Sequence, residues 1–146
     1  MPEPVQRFKY SGARAAGGRD AAEGRKSFPM CETDNVVSTV QVFEKGVRNN
    51  LHLHLVEDGY WIVLGGRARF HGEGEEIIAE LGKYEGLLLP TETKYWFEGI
   101  DDEALEILRV NYRVREGPRR VDTPVDSTAQ SQPVGAGAIP ARVATA

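Results

Sequence analysis

The sequence has little of several features that mark secreted, membrane-spanning or nucleic-acid-binding proteins. It holds a single cysteine, Cys31, so an internal disulfide is excluded and a reducing, cytoplasmic location is expected. No stretch approaches the roughly 18 consecutive apolar residues of a membrane span, and we expect no signal peptide. Lys and Arg number 18 against 22 Asp and Glu, a net charge of −4. We therefore expect neither nucleic acid nor an anionic membrane as a partner.

Both ends of the chain differ in composition from its middle. Residues 117–146 are rich in Pro, Gly and Ala and contain no aromatic residue. Such a segment cannot bury enough apolar surface to offset an ordering entropy of roughly 1–2 kcal/mol per residue. We predict a disordered tail there, with an arm docked on a partner subunit as the alternative. Residues 1–34 are predicted to form a partly flexible N-terminal arm, which Phe28 and Met30 could anchor to the core.

The middle of the chain, residues 35–116, has the pattern of short strands. Runs of β-branched, aromatic and aliphatic residues alternate with turn residues such as Asn49-Asn50 and Gly65-Gly66. A helix over residues 101–110 is the one rival interpretation, but its β-branched and aliphatic residues favour a strand. The pattern predicts an all-β antiparallel sandwich or small barrel. The predicted strands are residues 36–43, 51–55, 60–64, 67–70, 76–81, 86–90, 95–98 and 105–112.

Two of the three histidines lie two residues apart, in His52-Leu53-His54. Residues two apart on a strand point to the same face, so both imidazoles are expected on one side. Neutral imidazole is a common metal ligand, and a converging pair is half of a metal site. The alternative is an exposed polar face with accidental spacing. The third histidine, His71, lies beside a glycine turn and is expected at the surface.

The chain resembles the cupins in the spacing around these histidines. Gly46 precedes His52 by the spacing of the first cupin motif, His54 follows, and Gly66 closes the motif. The resemblance covers residues 35–113 and implies a double-stranded β-helix, or jelly-roll, barrel that is often dimeric, so a homodimer is expected. It does not imply one reaction, because the fold hosts isomerases, dioxygenases, decarboxylases, lyases, cyclases and plain ligand binders.

The resemblance is incomplete where cupins place an acidic metal ligand. Gly59 stands at the position of that glutamate. Asp58-Gly59 is itself a hairpin-turn signal between two apolar runs, so we predict a turn there. Glu57 and Asp58 supply carboxylates, but only a bulge or turn is expected to direct one of them inward.

The second cupin motif is also altered. Pro90 fits it, but Tyr84 and Glu92 stand where the motif has glycine, and Tyr95 replaces its histidine. The resemblance then implies one divalent or ferric ion (Fe, Zn, Ni or Mn) held by His52 and His54, with Tyr95 as a candidate third ligand. A metal-free site is the alternative.

The same residues predict a pocket for a small organic molecule. His52, His54 and Tyr95 are the candidate catalytic residues, since His suits a general base and Tyr can act as an acid. Asn50, Trp61 and Phe97 are the candidate ligand-binding residues, although the two aromatics also suit the core. Two functions remain open. One is a small-molecule enzyme, either metal-assisted (oxygenase-, lyase- or cyclase-like) or isomerase-like by His/Tyr proton transfer. The other is a non-catalytic sensor or carrier.

Overall fold

The computed structural model describes residues 2–117 of the chain, so the predicted tail lies outside the described residues except for Gly117. Among these residues no helix is long and apolar enough to cross a membrane. The described backbone forms nine strands. They are β1 (Arg19–Ala22), β2 (Arg25–Glu32), β3 (Val36–Phe43), β4 (Glu57–Gly65), β5 (Ala68–His71), β6 (Ile77–Leu81), β7 (Gly86–Leu89), β8 (Trp96–Gly99) and β9 (Leu105–Arg113).

These strands build two antiparallel sheets packed against each other. The larger sheet has the order β1-β2-β3-β9-β4-β7 and the smaller has the order β6-β5-β8. Side chains from both sheets form one core cluster, which includes Phe43, Trp61, Phe70, Phe97 and Ile107. Cross-sheet burial of this kind is what a jelly-roll barrel requires, and it confirms the predicted all-β barrel.

Most of the predicted strands are confirmed, with one exception around the histidine pair. The strand at residues 36–43 and the strands from residue 60 onward are present, and β9 rules out the helix over residues 101–110. The strand predicted at residues 51–55 is wrong, because only one isolated bridge forms there, between His52 and Tyr95. His52 and Tyr95 exchange both backbone hydrogen bonds, at 3.0 and 2.9 Å. This bridge fixes the two residues opposite each other.

The N-terminal region contributes two strands that the composition did not predict. β1 and β2 extend the larger sheet beyond β3, so the sheet begins at Arg19 rather than near residue 35. Phe28 of β2 is buried with Val40 and Val42, and Tyr10 and Ala13 pack against this cluster. β3 is therefore packed on both faces, with Val40 and Val42 in this cluster and Phe43 in the core between the sheets.

The hairpin turn predicted at Asp58-Gly59 is also wrong. Both residues lie inside β4, where Gly59 pairs with Asn111 of β9 and with Leu89 of β7. Buried and more exposed residues alternate along the strand from Glu57. Glu57 and Gly59 are two residues apart and share the inward face. The strand thus directs the Glu57 carboxylate inward without a bulge.

Two non-glycine residues have left-handed backbone conformations. Tyr84 has a φ of 68° and Glu92 a φ of 69°. These are the two positions where the second cupin motif has glycine. A side chain at such a φ costs roughly 1–2 kcal/mol, because its Cβ crowds the following carbonyl oxygen. The loops before and after β7 thus keep a backbone shape suited to glycine while carrying other residues.

Replacing Tyr84 with glycine is therefore expected to raise the free energy of unfolding by about 1 kcal/mol. The side chain is 69% exposed, so little packing is lost. Urea denaturation measures the change. Tyr112→Gly is the matched control, because this exposed tyrosine lies in β9 and its replacement should destabilise the strand by about 1 kcal/mol. Equal destabilisation by both variants would contradict the conclusion that the left-handed backbone at Tyr84 is strained.

Candidate functional site

The candidate site is built around Tyr95, onto which both histidines of the His-x-His pair pack. The His52 ring centroid lies 4.4 Å from that of Tyr95, and the His54 centroid lies 6.2 Å away. The two imidazoles are 5.2 Å apart in an edge-to-face arrangement. Leu51 and Leu53, between and beside them in sequence, are buried. The structure thus brings together His52, His54 and Tyr95.

His52 is held in one tautomer by the backbone. Its Nδ1 lies 2.6 Å from the carbonyl oxygen of Asn50. A carbonyl oxygen can only accept a hydrogen bond, so Nδ1 carries the proton and Nε2 of the neutral ring is left as an acceptor. Burial lowers the pKa of His52, and the positive charges of Arg109 and Arg25 lower it further. The neutral ring is therefore favoured.

His54 lies between an acid and a phenol. Its Nδ1 is 3.8 Å from Oε1 of Glu57, and its Nε2 is 3.4 Å from the hydroxyl of Tyr95. The Asn111 amide nitrogen donates to the same Glu57 oxygen at 3.3 Å. Glu57 is only 4% exposed and Asn111 only 1%. A carboxylate beside Nδ1 favours the proton on that nitrogen, so Nε2 can accept from Tyr95.

Glu57 and Asn111 are site residues that sequence reasoning missed. Gly59 lacks a side chain, and a Cβ there would lie 3.3 Å from the Asn111 amide nitrogen. The Asn111 side chain thus borders the space that a glutamate at position 59 would need. The available signal was the two-residue spacing of Glu57 and Gly59, which places both on one strand face.

Tyr95 is a buried phenol that stays protonated. It is 3% exposed, and burial raises its pKa. The charge of Arg109 acts in the opposite direction and Glu57 adds to the increase. A neutral phenol next to an imidazole can donate a proton.

The cupin resemblance implies a metal site formed by His52 and His54, with Tyr95 as a candidate third ligand. Within residues 2–117, no group of three His, Cys, Asp or Glu side chains is arranged to hold a metal ion. His54 has Tyr95 near its Nε2 and Glu57 near its Nδ1. His52 and His54 would supply the two imidazole ligands to any metal ion bound here, with the Tyr95 hydroxyl beside His54.

The three predicted ligand-binding residues have different positions. Asn50 is exposed and contacts His52 through its backbone carbonyl oxygen rather than its side-chain amide. Phe97 is 0% exposed and packs at 4.8–4.9 Å on three aromatic rings, so it lies in the core between the sheets. Trp61 is buried beside Tyr95, at 6.0 Å between ring centroids.

Two buried polar atoms near Tyr95 have no hydrogen-bond partner among the described residues. They are Nε1 of Trp61 and Oδ1 of Asn111. Leaving such an atom unsatisfied costs about 1–3 kcal/mol. A polar ligand at this end of the barrel would recover part of that cost.

A cavity of about 600 Å³ lies elsewhere, at the hairpin of β1 and β2. It is open to solvent, and neither histidine of the pair nor Tyr95 lines it. The candidate site around His52, His54 and Tyr95 is therefore separate from this cavity. The lining residues are Ala13, Arg14, Glu23, Gly24, Arg25, Lys26, Val42 and Glu44.

His71 is separate from this site and is not the surface residue predicted from the sequence. It is 7% exposed, stacks on Trp96 at 3.8 Å, and places Nε2 2.7 Å from a Glu98 carboxylate oxygen. Arg48 covers Trp96 at 4.8 Å. The stack braces β5 against β8, which pair side by side.

Acidification is expected to destabilise the fold through His71. Burial lowers its pKa below 6.5, and this outweighs the opposing effect of Glu98, while Arg69 and Arg48 lower it further. The unfolded chain therefore binds the proton first as pH falls below about 6.5. Stability should be lost from pH 7 down to the folded-state pKa. Denaturant unfolding at pH 7.5, 6.0 and 5.0 measures this loss. In His71→Gln the slope should be smaller, and an unchanged slope would contradict the assignment.

The chain was compared with known proteins. No family model matches it, and no curated protein does. Solved structures do match. KdgF from Halomonas sp. has a TM-score of 0.63 at 18% identity, covering 75% of this chain and 96% of that one. An RmlC-like cupin from Shewanella frigidimarina NCIMB 400 has a TM-score of 0.60 at 15% identity, covering 76% and 96%.

A third structure, the Cnp3 cupin domain of Schizosaccharomyces pombe, has a TM-score of 0.60 at 11% identity, covering 70% of this chain and 72% of that one. Identities this low establish the architecture and leave activity undetermined. The neighbours agree with the two facing antiparallel sheets of this chain. The chain therefore has the fold of the cupin superfamily.

Proposed function

We propose that this end of the barrel binds a small organic molecule and transfers protons on it, in isomerase- or lyase-like acid–base chemistry. The observation that carries the proposal is the pairing of His52 with Tyr95. The Asn50 carbonyl fixes the proton of His52 on Nδ1 and leaves Nε2 as a base, beside a buried neutral phenol.

The proton transfers balance with these two groups alone. Nε2 of His52 would take a proton from a carbon next to a carbonyl group, and the electron pair would move to the carbonyl oxygen. Tyr95 would donate its hydroxyl proton to that oxygen. Glu57 would hold His54 beside Tyr95. In the reverse transfers the phenolate oxygen of Tyr95 would take the proton back from the enol, and Nε2–H of His52 would deliver its proton to a carbon, which restores both groups. A metal ion on His52 and His54 stays a prediction from the sequence, and metal analysis of the purified protein tests it.

The experiment follows hydrogen exchange in deuterium oxide. The protein is incubated with a panel of 2-oxo and 3-oxo carboxylic acids, and ¹H NMR measures loss of the C–H signal next to the carbonyl. Exchange above the buffer rate is expected for at least one acid. His52→Gln and Tyr95→Phe should each slow it by about 10²-fold or more.

His71→Gln is the matched control, because His71 is a buried histidine that contacts Trp96 and Glu98 rather than Tyr95. Its exchange rate should match that of the unmodified protein. An undiminished rate in His52→Gln would overturn the proposal. Saturable binding of the acids without exchange would instead support the alternative function, a non-catalytic sensor or carrier. The expected homodimer is tested separately by light scattering.

A further inference from the structure

Two arginines project into the barrel from the larger sheet. Arg25 of β2 pairs with Phe43 of β3, and Arg109 of β9 pairs with Trp61 of β4. Directly opposed residues on neighbouring strands share a face of the sheet. Phe43 and Trp61 both belong to the core between the sheets. The two guanidinium groups therefore lie on the inner face.

Each guanidinium lies against an aromatic ring inside the barrel. The Arg25 guanidinium carbon is 5.1 Å from the centre of the Phe43 ring, and that of Arg109 is 6.0 Å from the centre of the Trp61 ring. Aromatic contacts of this kind hold a guanidinium in a defined orientation.

Arg25 lacks an acceptor in the described part of the chain. Its Nε is buried without a hydrogen-bond partner. None of the ion pairs among the described side chains includes it. Arg25 as a whole is partly buried, and a carboxylate or phosphate could reach its planar fork and form two hydrogen bonds with it.

Both positive charges also act on the candidate site. The charges of Arg109 and Arg25 are felt at His52, and that of Arg109 is felt at Tyr95. Arg109 of β9 lies directly opposite Trp61 of β4. The Trp61 ring is 6.0 Å from that of Tyr95. Both arginines thus lie on the inner face of the larger sheet with their charges acting on His52, and Arg25 also lines the open cavity at the β1–β2 hairpin.

We propose that Arg25 and Arg109 form an anion-binding subsite of the barrel, which selects ligands that carry a carboxylate or phosphate group. This inference rests on the proposed function in one respect: it assumes that the bound anion lies next to His52 and Tyr95. The anion would be anchored by the larger sheet, and the neighbouring carbon would then face His52. The N-terminal hairpin of β1 and β2 becomes part of the binding site, since it supplies Arg25.

The test measures binding of small anions by isothermal titration calorimetry. Malonate is the carboxylate probe, inorganic phosphate is the phosphoryl probe, and malonamide is the uncharged analogue of malonate. At least one of the two anions should bind saturably, and malonamide should not. The anion that binds with the higher affinity shows whether the subsite prefers a carboxylate or a phosphate group. Binding of malonamide as tightly as malonate would overturn the proposal.

Variants assign the binding to the two arginines. Arg25→Gln and Arg109→Gln should each weaken binding by about tenfold to a hundredfold, the usual effect of losing a charge-assisted hydrogen bond. Arg25→Lys, which keeps the charge and loses the fork, should weaken it also. Circular dichroism spectra and unfolding curves confirm that each variant is folded.

Lys26→Gln is the matched control. Lys26 is the next residue of β2, pairs with Val42 and covers Phe28 on the opposite face of the sheet. This variant removes the same charge and should leave anion affinity unchanged. Equal weakening by Lys26→Gln and Arg25→Gln would overturn the subsite.

The two proposals fail in different ways. If anions bind through Arg25 and Arg109 but no acid exchanges hydrogen, the proposed catalysis is wrong and the subsite stands. If exchange depends on His52 while Arg25→Gln and Arg109→Gln bind anions normally, the subsite is wrong and the catalysis stands.

Discussion

Phe97→Ala is expected to lower the free energy of unfolding by about 3–5 kcal/mol. The Phe97 ring is fully buried and touches three other rings, those of Phe43 at 4.8 Å and of Trp61 and Phe70 at 4.9 Å. These residues come from both sheets, so removing the ring leaves a cavity where the sheets meet. The closely packed neighbours can collapse only partly into that space.

Guanidinium denaturation followed by tryptophan fluorescence measures the loss. Leu88→Ala is the control, because Leu88 is an aliphatic residue of β7 that is 53% exposed. Its replacement should change stability by about 0.5 kcal/mol or less. A similar small loss for Phe97→Ala, together with weakened ligand binding, would instead support the ligand-binding role predicted from the sequence.

Gly86→Ala is expected to lower the free energy of unfolding by about 3 kcal/mol or more, for a different reason. A Cβ on Gly86 would lie 2.1 Å from the carbonyl oxygen of Trp61 and 3.3 Å from the Cα of Ile62. Both contacts are with the backbone of β4, the only strand that pairs with β7 among the described residues. The clash cannot be relieved by a side-chain rotation, so the two strands must separate.

Gly82→Ala is the matched control for this variant. A Cβ on Gly82 would approach Nη1 of Arg67 at 2.9 Å, the far end of a flexible side chain that can move away. Its cost should be about 1 kcal/mol or less. Urea denaturation of both variants measures the difference, and equal stability would show that β7 can shift away from β4 without penalty.

The barrel could be predicted from the sequence because its inner strands carry a strong local pattern. Val36–Phe43 is rich in β-branched residues, and the run around Trp61 alternates between buried and exposed positions. β1 and β2 could not be predicted in this way. Arg25, Lys26 and Ser27 have no apolar pattern, and these strands form through backbone pairing with an existing sheet.

The site was only partly predictable for a related reason. The histidine pair and Tyr95 have residue types that indicate chemistry by themselves. Glu57 was missed because Asp58-Gly59 is a strong local turn signal, which the pairing of β4 with β7 and β9 overrides. Arg25 was missed because its inward direction depends on register, and register is fixed by strands distant in sequence.

The left-handed backbone at Tyr84 and Glu92 bears on how this chain can be compared with others. In a motif, a glycine records a turn geometry indirectly, through the one residue that adopts it without strain. Here Tyr84 and Glu92 keep the left-handed turn geometry although neither is glycine, and the rest of the fold offsets the backbone strain. Comparison by residue identity loses these two positions, whereas comparison by backbone coordinates retains them. Distant members of a fold are better found by shape wherever glycine has been replaced without a change in the turn.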